Sequence, residues 1–158
     1  YCGKGYCGLQ FQKNEDVKTI ERDLEDALVQ AKLIHPLNQG NAYKTGWARA
    51  SRTDKGVHAV LNGINAKLDI RDEFLRDTVT EEARLQGRSF LKFQVDRKKF
   101  TSVVNGFLPD EIRVFDLKVV PNNFDIQEKV FMRRYEYIVP FKVFYPYKDE
   151  ESVSKFHF

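Results

Sequence analysis

Residues 50–59 read Ala-Ser-Arg-Thr-Asp-Lys-Gly-Val-His-Ala. One carboxylate, Asp54, lies between two fixed cations, Arg52 and Lys55. On an extended strand Arg52 and Asp54 share one face and Thr53 points the other way. Flanking cations favour the charged form of a carboxylate, the form that a nucleophile or a base must have. Gly56 lets the chain turn sharply or lets a ligand backbone come close. The same triplet also suits an ordinary surface ion pair at a strand end, its commoner use.

A second group of residues has chemistry to offer at Phe131-Met132-Arg133-Arg134-Tyr135-Glu136-Tyr137. Tyr135 and Tyr137 are two apart, so a strand presents both on one face. A tyrosine ring stacks on any nucleobase, for about 1–3 kcal/mol. Two aromatics at this spacing equally suit the core of a sheet, and Tyr137 is assigned to the core. Arg133-Arg134 and Arg97-Lys98-Lys99 are the basic clusters, and the latter reads as a solvated helix face.

Gly3-Lys4-Gly5-Tyr6-Cys7-Gly8 is formally G-x-G-x-x-G. A dinucleotide loop of that form needs a strand before it and a helix directly after it. Here no apolar strand precedes it, Leu9-Gln10-Phe11-Gln12 continues as extended chain, and Asp23 falls inside a helix. The glycines are instead expected to let a loop pass close to a cleft, with Tyr6 either lining that cleft or packing. His58 reads as structural or surface, and His35 and His157 have no evident partners. Cys2 and Cys7 lack the spacing of a zinc half-site and read as reduced thiols. No metal ligand set is visible.

These residues need elements to hold them. Val17, Ile20, Leu24, Ala27, Leu28 and Ala31 form one stripe, which predicts an amphipathic helix over 17–34 with its charges on the opposite face. Pro36 and Gly40 end it. Residues 47–51 predict a short strand leading into the Asp54 motif. Residues 58–70 predict its partner, with Val60, Ile64, Ala66, Leu68 and Ile70 apolar. The charged stretch 72–86 predicts a helix ending near Gly87. Residues 96–107 predict a core helix with Phe100, Val103, Val104 and Phe107, closed by Pro109. The β-branched and aromatic runs 112–120 and 130–141 predict strands. From Tyr145 the pattern dissolves into Pro146 and a charge run. That order predicts an α+β fold, a mainly antiparallel sheet with helices on one face.

A chain of 158 residues, 42% hydrophobic and 31% charged, can bury one core and is not a disordered composition. Its net charge of +3 is compatible with RNA without pointing to it. No apolar run approaches the roughly 18 residues of a membrane helix, and no signal peptide is visible. The chain starts inside an expected strand without a methionine and reads as a piece of something longer.

Ser51 to Ala59 closely resembles the catalytic motif of the TruA family of tRNA pseudouridine synthases, its eukaryotic branch above all. Tyr1-Cys2-Gly3-Lys4-Gly5-Tyr6-Cys7-Gly8-Leu9-Gln10 resembles that family's opening Tyr-Asp-Gly-x-x-Tyr-x-Gly-Trp-Gln, with Cys2 replacing an acidic residue and Leu9 a tryptophan. Arg134-Tyr135-Glu136-Tyr137 resembles its Arg-Tyr-x-Tyr motif. Leu61-Asn62-Gly63 departs from the residues usual after the catalytic motif. Ile126-Gln127 stands in place of a commoner Ala-Arg, where the family places an RNA contact.

The resemblance implies that Asp54 is catalytic, acting at the ribose as nucleophile or as base. It implies that Arg52 holds the flipped nucleotide's place or binds phosphate, and that Tyr135 covers the extruded base. Lys55 and Arg134 would be phosphate contacts. It implies the ferredoxin-like N-terminal half of a catalytic domain over residues 1–144. Residues 145–158 would be a linker or crossover towards a second half. The reaction would be isomerisation of uridine to pseudouridine in tRNA, in the region of the anticodon arm. It is redox-neutral and calls for no cofactor. The setting would be intracellular and free of membrane. Two other readings stand beside it: a non-catalytic RNA-binding module of the same fold, and a nucleotide-binding enzyme built on the glycine loop.

Overall fold

The computed structural model describes residues 1–12, 14, 16–77 and 93–140. Residues 78–86 of the expected helix, the 145–158 linker and His157 lie outside the described residues.

Helix α1 spans Ile20–Gln30 and begins where Thr19 caps it, the Arg22 N–H donating to Thr19 Oγ1 at 3.4 Å. It ends before the apolar stripe does. Lys32 takes a left-handed backbone at φ 57°, and the Lys32 and Leu33 N–H groups bond back to the Val29 and Leu28 carbonyls. That is the double bond of a Schellman ending. It swings Leu33 and Ile34, both buried, into the core below the helix. The charges do not all lie on the opposite, solvated face as expected, because Glu21 and Glu25 are buried alongside Ile20 and Leu28.

A short helix α2, Ala42–Thr45, leads through Gly46 into strand β1, Ala48–Arg49. This pairs antiparallel with β2, Ile64–Asn65, Ala48 opposite Asn65 and Arg49 opposite Ile64. The Ala50 N–H extends the pairing by one bond to the Gly63 carbonyl, at 2.8 Å. Beyond β2, Ala66, Leu68 and Ile70 do alternate onto the core while Lys67 and Asp69 face out. The earlier part of the expected strand fails, with Val60 92% exposed.

The charged stretch from Asp72 does not begin as a helix. A single 3-10 turn, Asp72–Phe74, passes into β3, Leu75–Asp77, which pairs antiparallel with β4, Phe93–Val95. Phe74 is buried edge-on to Phe100, ring centroids 6.1 Å apart, and that anchor sets the chain up to pair. Non-local pairing overrides the local charge pattern.

Helix α3, Arg97–Phe107, is capped by Asp96, whose Oδ1 accepts the Lys99 N–H at 3.1 Å. It packs Phe100 and Val104 against α1. Phe107, expected in the core, is exposed; the chain leaves the helix there and Leu108 turns inward instead. Arg97 to Lys99 is a solvated face, with Arg97 bonded to Asp116 at 2.9 Å.

The strands expected over 112–120 and 130–141 are not strands among the described residues. Neither forms a ladder among the described residues. Asn105 explains part of this: its side-chain amide brackets Val114, accepting the N–H at 2.8 Å and donating to the carbonyl at 2.9 Å. Those are the groups a neighbouring strand would use. Phe115, Phe131, Tyr137 and Ile138 consequently stand exposed, and Tyr137 is not the core residue expected. Between the two segments a one-turn helix α4, Ile126–Lys129, docks on the β1–β2 pair through Ile126 N–H to Asn65 Oδ1 at 3.0 Å. The class is α+β with antiparallel pairing, as expected, but among the described residues the pairing is short and split into two ladders.

Candidate active site

The Asp54 motif is held by the N-terminal segment. Leu9 N–H donates to the Thr53 carbonyl at 3.0 Å, and Gly56 N–H to the Tyr6 carbonyl at 3.1 Å. Ala59 N–H donates to the Tyr1 carbonyl at 3.1 Å, and the Tyr1 hydroxyl shares a 2.6 Å bond with Thr53 Oγ1. Within this cradle Asp54 opens a tight turn, its carbonyl accepting the Val57 N–H at 3.2 Å. Gly56 supplies the positive φ, 77°, at the turn's third residue, which is the requirement of a type II turn.

The glycine-rich segment does what its residue types suggested. A Cβ on Gly3 would sit 2.0 Å from the Val57 carbonyl oxygen, and one on Gly8 2.9 Å from that of Thr53. Neither position has room for a side chain. The dinucleotide reading also loses its helix. The α1 N–H groups a phosphate would need are already used, Ile20 and Glu21 bonding the Gly8 and Leu9 carbonyls at 3.2 and 3.0 Å. Tyr6 packs rather than lining a cleft: it is buried and its hydroxyl donates to Asp23 Oδ2 at 2.7 Å. Burial, then the bond to Asp23, pushes its pKa far above the ordinary value.

Beside the motif lies an open cleft of about 400 Å³. Arg49, Ala50, Ser51 and Arg52 form one side, and Gln127, Arg133 and Tyr135 the other. Arg52 and Tyr135, separated by most of the chain, are thus brought together. Tyr135 is 60% exposed, so its ring is open to a ligand. Asp54, Lys55 and Arg134 do not line the cleft. Asp54 is exposed and makes no ion pair among the described residues, so it is not the surface ion pair that its flanking cations allowed. It does not share the cleft face with Arg52, because the strand ends at Arg49 and the chain is already turning at Lys55–Gly56. Arg134 pairs with Glu136 at 2.6 Å, both exposed.

Two arginines were missed. Arg133 donates through Nε and Nη2 to the Ala50 carbonyl at 3.2 and 2.8 Å. Its signal was in the sequence: extended chain puts Arg133, not Arg134, on the side of Tyr135. Arg49 reaches the cleft from β1, held from behind by Glu21, and nothing local in the sequence marks that pair. His58 is exposed; His35, for which no partner was expected, accepts the Leu37 N–H on Nδ1 at 3.2 Å. Both cysteines are free thiols. Among the described residues no cluster of metal-ligating side chains occurs, and no helix is long and apolar enough to cross a membrane.

No protein-family model matches the chain. Individual proteins do. It is 33% identical over 155 residues to tRNA pseudouridine synthase 1 of Candida albicans, covering 98% of this chain and 21% of that protein. It is 38% identical over 148 residues to tRNA pseudouridine synthase 1 of Schizosaccharomyces pombe, covering 94% of this chain and 23% of that protein. To the tRNA pseudouridine(27/28) synthase of Saccharomyces cerevisiae it is 32% identical over 140 residues, 89% of this chain and 30% of that protein. The chain therefore spans about a fifth to a third of the length of these relatives. Over nearly its whole length the chain is thus similar to proteins named tRNA pseudouridine synthase, in line with the family resemblance of its motifs.

Proposed function

We propose that the chain is the part of a tRNA pseudouridine synthase that carries the catalytic carboxylate. The enzyme would detach uracil from its ribose, rotate it and rejoin it through carbon. Asp54 acts at the ribose, as nucleophile or base. The target uridine is flipped out of its stack, with Tyr135 covering the base and Arg52 holding the place it leaves or the adjoining phosphate. Lys55 and Arg134 are outer contacts to the RNA backbone. The RNA is tRNA, met around its anticodon arm, which places the protein inside the cell. Bond breaking and bond making balance without a redox partner, so no cofactor takes part.

The observation that carries this reading is the convergence of Arg52 and Tyr135 on one arginine-lined cleft, two residues from Asp54. Positive charge with a stacking ring is what an extruded nucleotide needs. The test is pseudouridine mapping in tRNA treated with the full-length protein and with its Asp54→Asn variant. Pseudouridine made by the first and not by the second is the expected result. RNA bound by both and modified by neither would mean a binding module instead.

A further inference from the structure

Glu21 is fully buried, yet it is not there to fill space. Its Oε1 accepts Arg49 Nε at 2.5 Å, and its Oε2 accepts Arg49 Nη2 at 3.1 Å and the Phe11 N–H at 2.9 Å. Burying an ion pair is a poor way to gain stability, because desolvation offsets most of the attraction and an apolar pair of the same volume would serve as well. What such a pair does well is fix a guanidinium in one orientation. Arg49 uses one edge of its fork on Glu21. Its remaining nitrogen, Nη1, has no hydrogen-bond partner among the described residues and is not among the buried polar atoms lacking one. Arg49 lines the cleft.

Across the cleft Arg133 repeats the arrangement. Its Nε and Nη2 are held by the Ala50 carbonyl, next in sequence to Arg49, and its Nη1 has no partner among the described residues. Among the described residues no carboxylate lines this cleft: Glu21 meets Arg49 from behind, and Arg133 makes no ion pair. We propose that the two forks form a phosphodiester clamp for the RNA strand beside the target nucleotide, and that Glu21 is a positioning residue acting through Arg49. This rests on the RNA-modifying reading of the same cleft. Each fork, anchored on the protein by one edge, turns its other edge to a backbone phosphate.

The test uses the full-length protein. Salt dependence of tRNA binding is measured in an Asp54→Asn background, where turnover cannot interfere. Glu21→Gln with Arg49→Gln keeps a neutral hydrogen-bonded pair in the buried space, so this double variant folds. It should make the slope of log affinity against log salt shallower by about 0.7–0.9, the loss of one phosphate contact. Arg133→Gln, at the surface, should do the same, and the two losses should add. With Asp54 intact, Glu21→Gln alone should keep the slope, since Arg49 retains its charge, but lower kcat/KM about tenfold per folded molecule. Adding Arg49→Gln to it should lower kcat/KM no further than Arg49→Gln does alone, because Glu21 acts through Arg49.

A merely structural pair would lower only the unfolding temperature. Wild-type slopes in the double variant would overturn the clamp, and an unchanged rate in Glu21→Gln would overturn the positioning role. An inactive wild-type protein whose slopes change as stated would instead overturn the synthase reading and leave the clamp standing.

Discussion

The Leu9 N–H donates to the Thr53 carbonyl at 3.0 Å, one residue before Asp54. That bond exists because the residue before Leu9 has no side chain. Gly8 lies at φ 99°, and a Cβ there would meet the Thr53 oxygen at 2.9 Å. Gly8→Ala is therefore expected to strain the backbone and push the Asp54 turn away. Left-handed strain alone costs about 1–3 kcal/mol. The single-turnover rate should fall at least about tenfold. Gly5→Ala is the control, since Gly5 has φ 83° but open space around it, and should lower the unfolding temperature with little loss of rate. Equal rate losses in the two would show that the contact with Thr53 does not place Asp54.

Asp54→Asn should abolish turnover and leave tRNA affinity nearly unchanged. The side chain is exposed and carries no ion pair among the described residues, so folding has no stake in its charge. Chemistry at the ribose needs the anionic oxygen. Rate and binding are measured on the same preparation, and wild-type-like catalysis would remove Asp54 from the mechanism.

Tyr135 can be separated from a packing role by its exposure, 60%. Tyr135→Ala should leave the unfolding temperature within a degree or so and weaken binding by about 1–3 kcal/mol, the worth of a stacked base. Tyr135→Phe should bind as well as wild type. A rate loss in Phe without an affinity loss would assign a task to the hydroxyl. A drop in thermal stability with normal binding would return Tyr135 to the core.

How much of this was legible depended on how local each cause is. The two long helices were legible because their apolar stripes are written in consecutive residues, though the first spans 20–30 rather than the expected 17–34 and the caps Thr19 and Asp96 went unread. The turn into β3 was not, because Phe74 is anchored by Phe100 and β3 is paired by Phe93–Val95, neither of which the charged stretch itself announces. Of the residues lining the cleft, Arg52 and Tyr135 were singled out through motifs. Arg133 was passed over although its parity with Tyr135 was visible. Glu21 was hidden for a better reason: a carboxylate beside an apolar stripe looks solvated until its partner, 28 residues away, is known.

Burial of Glu25 gives a pH signature. Its carboxylate accepts the Gly40 N–H on both oxygens, at 3.0 and 2.9 Å, but desolvation outweighs this and raises its pKa above the ordinary 4.5. Asp26 is shifted the same way, by burial and then by Asp23. Between the ordinary and the raised value the folded chain keeps a proton that the unfolded chain has lost. The contribution of these two groups to stability then falls as pH rises through that window, and levels off above it. Glu25→Gln removes this titration, so its unfolding temperature should decline less than that of wild type as pH rises from about 4 to 7. Superimposable profiles would mean that Glu25 titrates alike in both states.

The chain by itself should be inactive on tRNA even where it folds. It spans 21% of the Candida albicans relative and 23% of the Schizosaccharomyces pombe one. In the family that the chain resembles, the cleft lies between two halves, and the second supplies an arginine that pairs with the motif's aspartate. Here Asp54 has no cationic partner among the described residues, and an unheld carboxylate is a poor nucleophile or base. The apolar side chains of 131–138 point to the same incompleteness, with Phe131 and Ile138 each 96% exposed on chain that pairs with no strand among the described residues. Backbone outside any ladder that carries bare apolar side chains invites pairing with another copy. The 158-residue chain is thus expected to self-associate in sedimentation and to show no turnover beside an active full-length protein. Comparable rates for the two on the same tRNA would show that the site is complete within these residues.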